Sequence, residues 1–82
     1  MLNSTILNQQ LEEQLKEEEV FLLFSKTNPV GSKVVFEDFD VKGYINQFRG
    51  VVKEYNYETL QMLVEEKYIH VIRPRNVKKS NL

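Results

Sequence analysis

The chain has 82 residues, enough for one domain near the lower limit for folding without staples. It contains no Cys, which excludes disulfides and thiolate zinc sites and leaves a small core or oligomerisation to stabilise it. Five Phe, four Tyr and a hydrophobic fraction of 41% exclude a disordered chain, and a net charge of −1 is not that of a strongly basic nucleic-acid binder.

The charge is nevertheless uneven. Residues 1–42 carry four Lys against eight acidic residues, and residues 43–82 carry seven Lys or Arg against four Glu. The basic tail, about 75–82, continues the run that starts at Arg73: Arg73, Arg75, Lys78 and Lys79 have no acid among them. Such an end can attract phosphate, although a solvated surface is the commoner fate of a charge run. The longest apolar run, Val20 to Phe24, is far too short to span a bilayer, and the first ten residues lack the basic and apolar regions of a signal peptide. A cytoplasmic protein without membrane contact is expected.

The first element reads as a helix over about 3–18. Leu7, Leu11 and Leu15 recur every four residues with Ile6 beside them, Asn3 can cap the start, and Leu2 with Leu7 fits a hydrophobic staple. The stripe can cover a sheet or pair with a partner. Glu17, Glu18 and Glu19 at the expected C-terminus oppose the helix dipole, so fraying is expected there.

A β-rich remainder is expected over about 20–79. Val20–Lys26 begins with five consecutive apolar residues and reads as a strand buried on both faces. Residues 27–32, TNPVGS, form a turn, and Lys33–Phe36 restarts extended structure as the second arm of a hairpin. Between Asp40 and Tyr55 two readings compete. Val41, Tyr44, Ile45, Phe48, Val51, Val52 and Tyr55 fall at helical spacing, while Gly43, Gly50 and the β-branched and aromatic content favour strands. Glu58–Lys67 is rich in helix formers, yet Leu60, Met62 and Val64 alternate as in a half-buried strand. Tyr68–Arg73 reads as a strand. The fold class is therefore α+β, one domain over 1–82 with the N-terminal helix on a small, strongly bent antiparallel barrel. The alternative is a winged helix-turn-helix with helices at 40–55 and 57–67, which would direct Gln61, Lys67 and the following strand to DNA.

RGVVKEYNYETLQMLVEE, from Arg49 to Glu66, resembles the first motif of the Sm-like small-barrel family, with Gly50 as the strand glycine, Tyr55 as the aromatic and Asn56 in place of the usual Asp. VIRPRNV is similar to the second Sm motif, which Val71, Ile72, Arg73, Asn76 and Val77 match in order. LNQQLEEQLKEEEVFLLF also resembles the start of YolD-like proteins. The resemblance implies a barrel of Sm or SH3 type and, from the Sm family, RNA contact. It departs at two functional positions. Leu60, or Thr59 with a one-residue shift, stands where the family has a base-contacting Asn, and Pro74 replaces the glycine of the second motif. Leu60 cannot read a base edge, and Pro74 cannot extend a strand ladder, so a monomer or dimer is expected in place of a ring. Residues 27–47 are longer than the usual Sm connection and read as an extra hairpin over one face.

His70 is the only His, and with Ile69 and Val71 turned to the core it is expected to face outward. No catalytic partner set, metal-ligand spacing or phosphate-binding glycine pattern is present in the sequence, so neither an enzyme nor a cofactor is expected. Asp38 and Asp40 flank Phe39 without EF-hand spacing. Two functions remain. One is a protein-interaction or regulatory module that binds a partner or a second copy through Leu7, Leu11 and Leu15 or through a free sheet edge. The other binds RNA or single strands, with Arg73, Arg75, Asn76, Lys78 and Lys79 at phosphates and Tyr57 or Tyr68 stacking.

Overall fold

The structure, a computed structural model, describes residues 4–80, with side chains from residue 15 onward. Helix α1 runs from Ser4 to Thr27. No Gly or Pro interrupts it, and extending an existing helix costs far less than nucleating a new element. The expected strand at Val20–Lys26 is therefore the last part of α1. Glu17–Glu19 lie mid-helix, so no dipole frays them; the real last turn carries Lys26. Termination comes from Pro29 together with side chains that take up the last carbonyls. Thr27 Oγ1 donates to the Leu23 and Phe24 carbonyls at 3.1 and 3.2 Å, and the Asn28 backbone N–H to the Phe24 carbonyl at 2.8 Å.

Five antiparallel strands follow: β1 (Lys33–Phe39), β2 (Ile45–Asn56), β3 (Gln61–Glu65), β4 (Ile69–Ile72) and, after a 3-10 turn at Pro74–Asn76, β5 (Val77–Lys79). Their order is β4-β3-β2-β1-β5. The hairpin partner of β1 is β2, not residues 20–26, with Val34 opposite Gly50 and Phe36 opposite Phe48. Residues 27–47 thus supply a central strand of the sheet rather than an added hairpin. Residues 40–55 and 57–67 contain β2 and β3 and no helix, which rules out the winged helix-turn-helix. The aromatic and β-branched side chains of β2 decide against its helical spacing because the neighbouring strands offer a ladder.

The class is α+β: one helix packed on a five-stranded antiparallel sheet that is not closed into a barrel. One face of that sheet makes the core, with Val34, Phe36, Val52, Met62, Val64 and Ile72 buried and Phe24, Phe48, Tyr55 and Val77 around them. Curvature, more than the helix, encloses these residues. In a flat sheet, β4 and β1 would lie about 14 Å apart, three strand spacings. Here the His70 ring of β4 sits 5.0 Å from Phe36 of β1. Gly50 permits the bend: a Cβ there would stand 2.6 Å from the Glu65 carbonyl oxygen. The helix docks at one end through Phe21, which is buried edge-on against Tyr55 at 5.6 Å and Tyr57 at 5.4 Å.

Candidate interaction surfaces

The sequence expectation for His70 is reversed. Ile69 and Val71 are exposed, and His70 faces inward with Ile72. Its Nδ1 lies 2.8 Å from Asp38 Oδ2 and its Nε2 3.4 Å from Glu66 Oε1, while its ring packs on Phe36 and Phe48. Asp38 belongs to β1 and Glu66 to the turn after β3, so the imidazole clasps two non-adjacent strands across the inner face. The Lys67 backbone N–H chiefly holds the Glu66 carboxyl below its usual range; burial opposes it, and the His70 ring and the Lys67 charge add to the lowering. The signal for this arrangement is the register: His70 opposes Val64, which is buried. Without the pairing, Ile69 and Val71 are the more apolar choice for the core. Among the described residues no group of three or more Asp, Glu or His is placed to hold a metal ion.

The candidate nucleic-acid residues separate into three places. Arg73 and Arg75 border a groove of about 270 Å³ between α1 and the 3-10 turn, floored by Val20, Phe21, Leu60 and Pro74 and joined by Lys16 of α1. Arg73 Nη1 donates to the Thr59 carbonyl at 3.1 Å, tying the turn after β4 to the turn after β2. Leu60 holds a left-handed backbone, φ 59°, and so presents its side chain at this groove under strain. Tyr57 is exposed beside it and shares Phe21 with the groove floor. Asn76 is spent on structure: its Oδ1 accepts the Arg73 backbone N–H at 3.0 Å. Lys78 pairs with Glu37 at 3.3 Å. Lys79 lies on the outer sheet face, opposite Val35, which is itself opposite Arg49. Those two cations and Lys33 line a second groove of about 420 Å³ and make no ion pair with a described residue. Tyr68 is exposed in the turn between β3 and β4, at the far end of β3 from Leu60.

Of the candidate partner residues, Leu7 and Leu11 lie outside the residues with described side chains. Leu15 is exposed, so it does not cover the sheet; Phe21 and Phe24 do that. Leu22 is seven residues on, at the same helical angle, and it is exposed along with Leu23. These two were hidden from sequence reasoning by the strand reading of Val20–Lys26.

A further exposed apolar group is the β1–β2 turn, with Phe39, Val41, Tyr44 and Ile45 around Lys42 and Gly43. Val41, Tyr44 and Ile45 belong to the helical spacing that was one of the two readings of residues 40–55. The turn chemistry of Asp40 and Gly43 was the available signal against it.

At the foot of the helix the Tyr55 hydroxyl donates to the Asn28 carbonyl. Burial, and secondarily the neighbouring Tyr57, push the Tyr55 hydroxyl up to about 12.

The fold and these surfaces define a small α+β protein whose polar side chains mainly brace turns and strands and whose apolar ones are in part displayed. No protein-family model matches the chain, and no curated protein or solved structure matches it. No helix among the described residues is long and apolar enough to cross a membrane.

Proposed function

We propose that this chain is a non-enzymatic protein-interaction module that receives a partner on the outward face of α1. The observation that carries this reading is the alignment of Leu15 and Leu22, with Leu23 beside them, on the helix face opposite the docked Phe21 and Phe24. A helix already fixed by one face and apolar on the other loses little entropy on binding. Glu18 and Glu19 flank the Leu15–Leu22 line on the helix surface, whereas Glu17 turns to the docked side, so the fitting partner offers an apolar groove with a basic rim. A photo-crosslinking side chain at position 22 tests this in cells. A discrete adduct is expected from position 22, lost when Leu15 is replaced by Glu, and no adduct is expected from a crosslinker at Lys53 on the sheet. No adduct at position 22 removes the reading.

One observation favours a second reading, binding of single-stranded RNA at the groove between α1 and the 3-10 turn. Arg73 and Arg75, the phosphate candidates of the basic run, and Leu60, which stands at the base-contacting position of the Sm-like motif, lie at that groove with Lys16. The strand order, with β5 laid on β1 after the 3-10 turn, supports viewing the curved sheet as an opened relative of such a small barrel. The groove offers cations and an apolar wall but no base-edge group at Leu60, so binding would be non-specific and strongly salt-dependent. A titration with mixed-sequence single-stranded RNA at two salt concentrations, repeated with R73A/R75A, decides it. Binding that is absent at low salt, or unchanged in the double variant, rejects it.

A further inference from the structure

β5, β1 and β2 lie side by side, and their register sets a row of positive charge across the sheet. Lys79 stands opposite Val35, and Val35 opposite Arg49. Directly opposed residues share a face, so Lys79 and Arg49 flank Val35 on the face away from the core. Lys33, two residues before Val35 and opposite Val51, joins them there. An irregularity in β5 completes the set. Val77 pairs with Phe36 and packs toward the core, yet Lys79 pairs with Val35, so Lys78 is an extra residue bulged between them. Both lysines therefore turn outward: Lys78 reaches Glu37 at 3.3 Å, and Lys79 borders the groove.

This groove of about 420 Å³ lies among Lys33, Arg49 and Lys79, over Val35 and Val51, and no carboxylate lines it. The nearest acids on the face by register are already paired. Glu37 is held by Lys78, and Glu65, opposite Val51, by Lys53 at 3.8 Å. Three like charges around one groove repel one another, and an anion placed among them relieves that repulsion. Arg49 supplies the planar fork that binds phosphate oxygens in pairs, and the two lysines supply point charges.

Spacing limits the anion. Lys79 and Arg49 are two strand spacings apart, about 10 Å, and Lys33 lies about 7 Å along β1 from Val35. A lone phosphate would draw all three side chains inward against their repulsion. A chain of linked phosphates meets each of them where it stands. No aromatic ring lines the groove to stack on a base, so the phosphates are the part of a ligand that is recognised.

We infer that the outer face of β5, β1 and β2 is a binding site for an oligophosphate anion, held along its phosphate chain by Lys33, Arg49 and Lys79. A free inorganic chain and the triphosphate of a nucleotide share this chemistry. The site uses neither the outer face of α1 nor the groove at Arg73 and Arg75, so it stands or falls separately from both readings above.

Isothermal titration calorimetry with sodium tripolyphosphate at low and physiological salt tests it. Saturable binding is expected at low salt, weakening by about tenfold or more at physiological salt as the exposed charges are screened. Orthophosphate should bind far more weakly than tripolyphosphate. K33Q/R49Q/K79Q should lose the binding, and R73A/R75A should keep it; all five positions lie at the surface, and circular dichroism checks that each variant folds. ATP that binds as tightly as tripolyphosphate assigns the site to nucleotide triphosphates as well, and ATP that binds more weakly assigns it to the inorganic chain. No binding at low salt overturns the inference. So does orthophosphate bound as tightly as tripolyphosphate, a triple variant that binds like wild type, or equal loss in R73A/R75A. An RNA oligonucleotide without a terminal triphosphate that binds this face more tightly than tripolyphosphate also overturns it, in favour of a nucleic-acid strand.

Discussion

His70 shows how one side chain can replace a missing strand contact. Both ring nitrogens face carboxylates, Nδ1 at 2.8 Å from Asp38 and Nε2 at 3.4 Å from Glu66. The pair with Asp38 leaves just 10% of the His70 side chain accessible, so its hydrogen bond is well shielded. Replacing His70 with Phe keeps a ring against Phe36 and Phe48 and removes both polar contacts. Loss of the Asp38 bond should lower stability at neutral pH by about 1–3 kcal/mol, read by urea denaturation. Glu66 adds a sign. Its folded carboxyl is held below the ordinary range, so its contribution is present above that range and fades as pH falls through the lowered value. The H70F variant, having lost one of the groups that lower Glu66, should show a shallower acid loss than wild type; equal slopes would exclude the clasp. Gly50 is the other decisive residue. It was legible as a strand glycine, but its reason is spatial, since an added methyl would meet the Glu65 carbonyl oxygen at 2.6 Å and Val64 Cγ1 at 2.7 Å. Gly50→Ala should cost roughly 1–3 kcal/mol through forced backbone displacement, measured as a lowered denaturation midpoint. A neutral result would mean that the bend does not depend on this close approach.

At the level of elements, the strand at Tyr68–Arg73 was legible, Glu58–Lys67 stayed open between helix and strand, and the helix end was misplaced. Met62 and Val64 alternate with half-buried neighbours because β3 has one core face, and period two reports that directly. Val20–Phe24 carries no such information. Five apolar residues in a row suit a strand covered on both sides or a helix with one face on a sheet and another displayed, and the structure takes the second. The docked end of that helix has its own titration. The neutral Tyr55 hydroxyl donates to the Asn28 carbonyl just past the last helical turn, and its folded value of about 12 lies above the ordinary 10.0. A raised value favours the neutral form in the folded state, so its stabilisation is complete below pH 10 and is lost as pH rises toward 12. Hydrogen exchange at the C-terminal end of α1 should therefore accelerate over that window beyond the base-catalysed intrinsic rate. Tyr55→Phe should remove the extra acceleration. If both proteins exchange alike, the hydroxyl does not hold the helix end.

The whole molecule is extended for its length. Its radius of gyration is 14.7 Å, against about 12 Å for a compact 82-residue domain. Among the residues with described side chains the buried apolar set is small: Phe21 and the six side chains within the curved sheet. Much of the remaining apolar surface is gathered on the outer face of α1 and the β1–β2 tip, surfaces on which neighbouring molecules can add the burial that the single chain lacks. Composition already pointed to a small core or an assembly; which residues make the core depended on pairings that set Val34 opposite Gly50 and Val64 opposite His70, and these are invisible without the register.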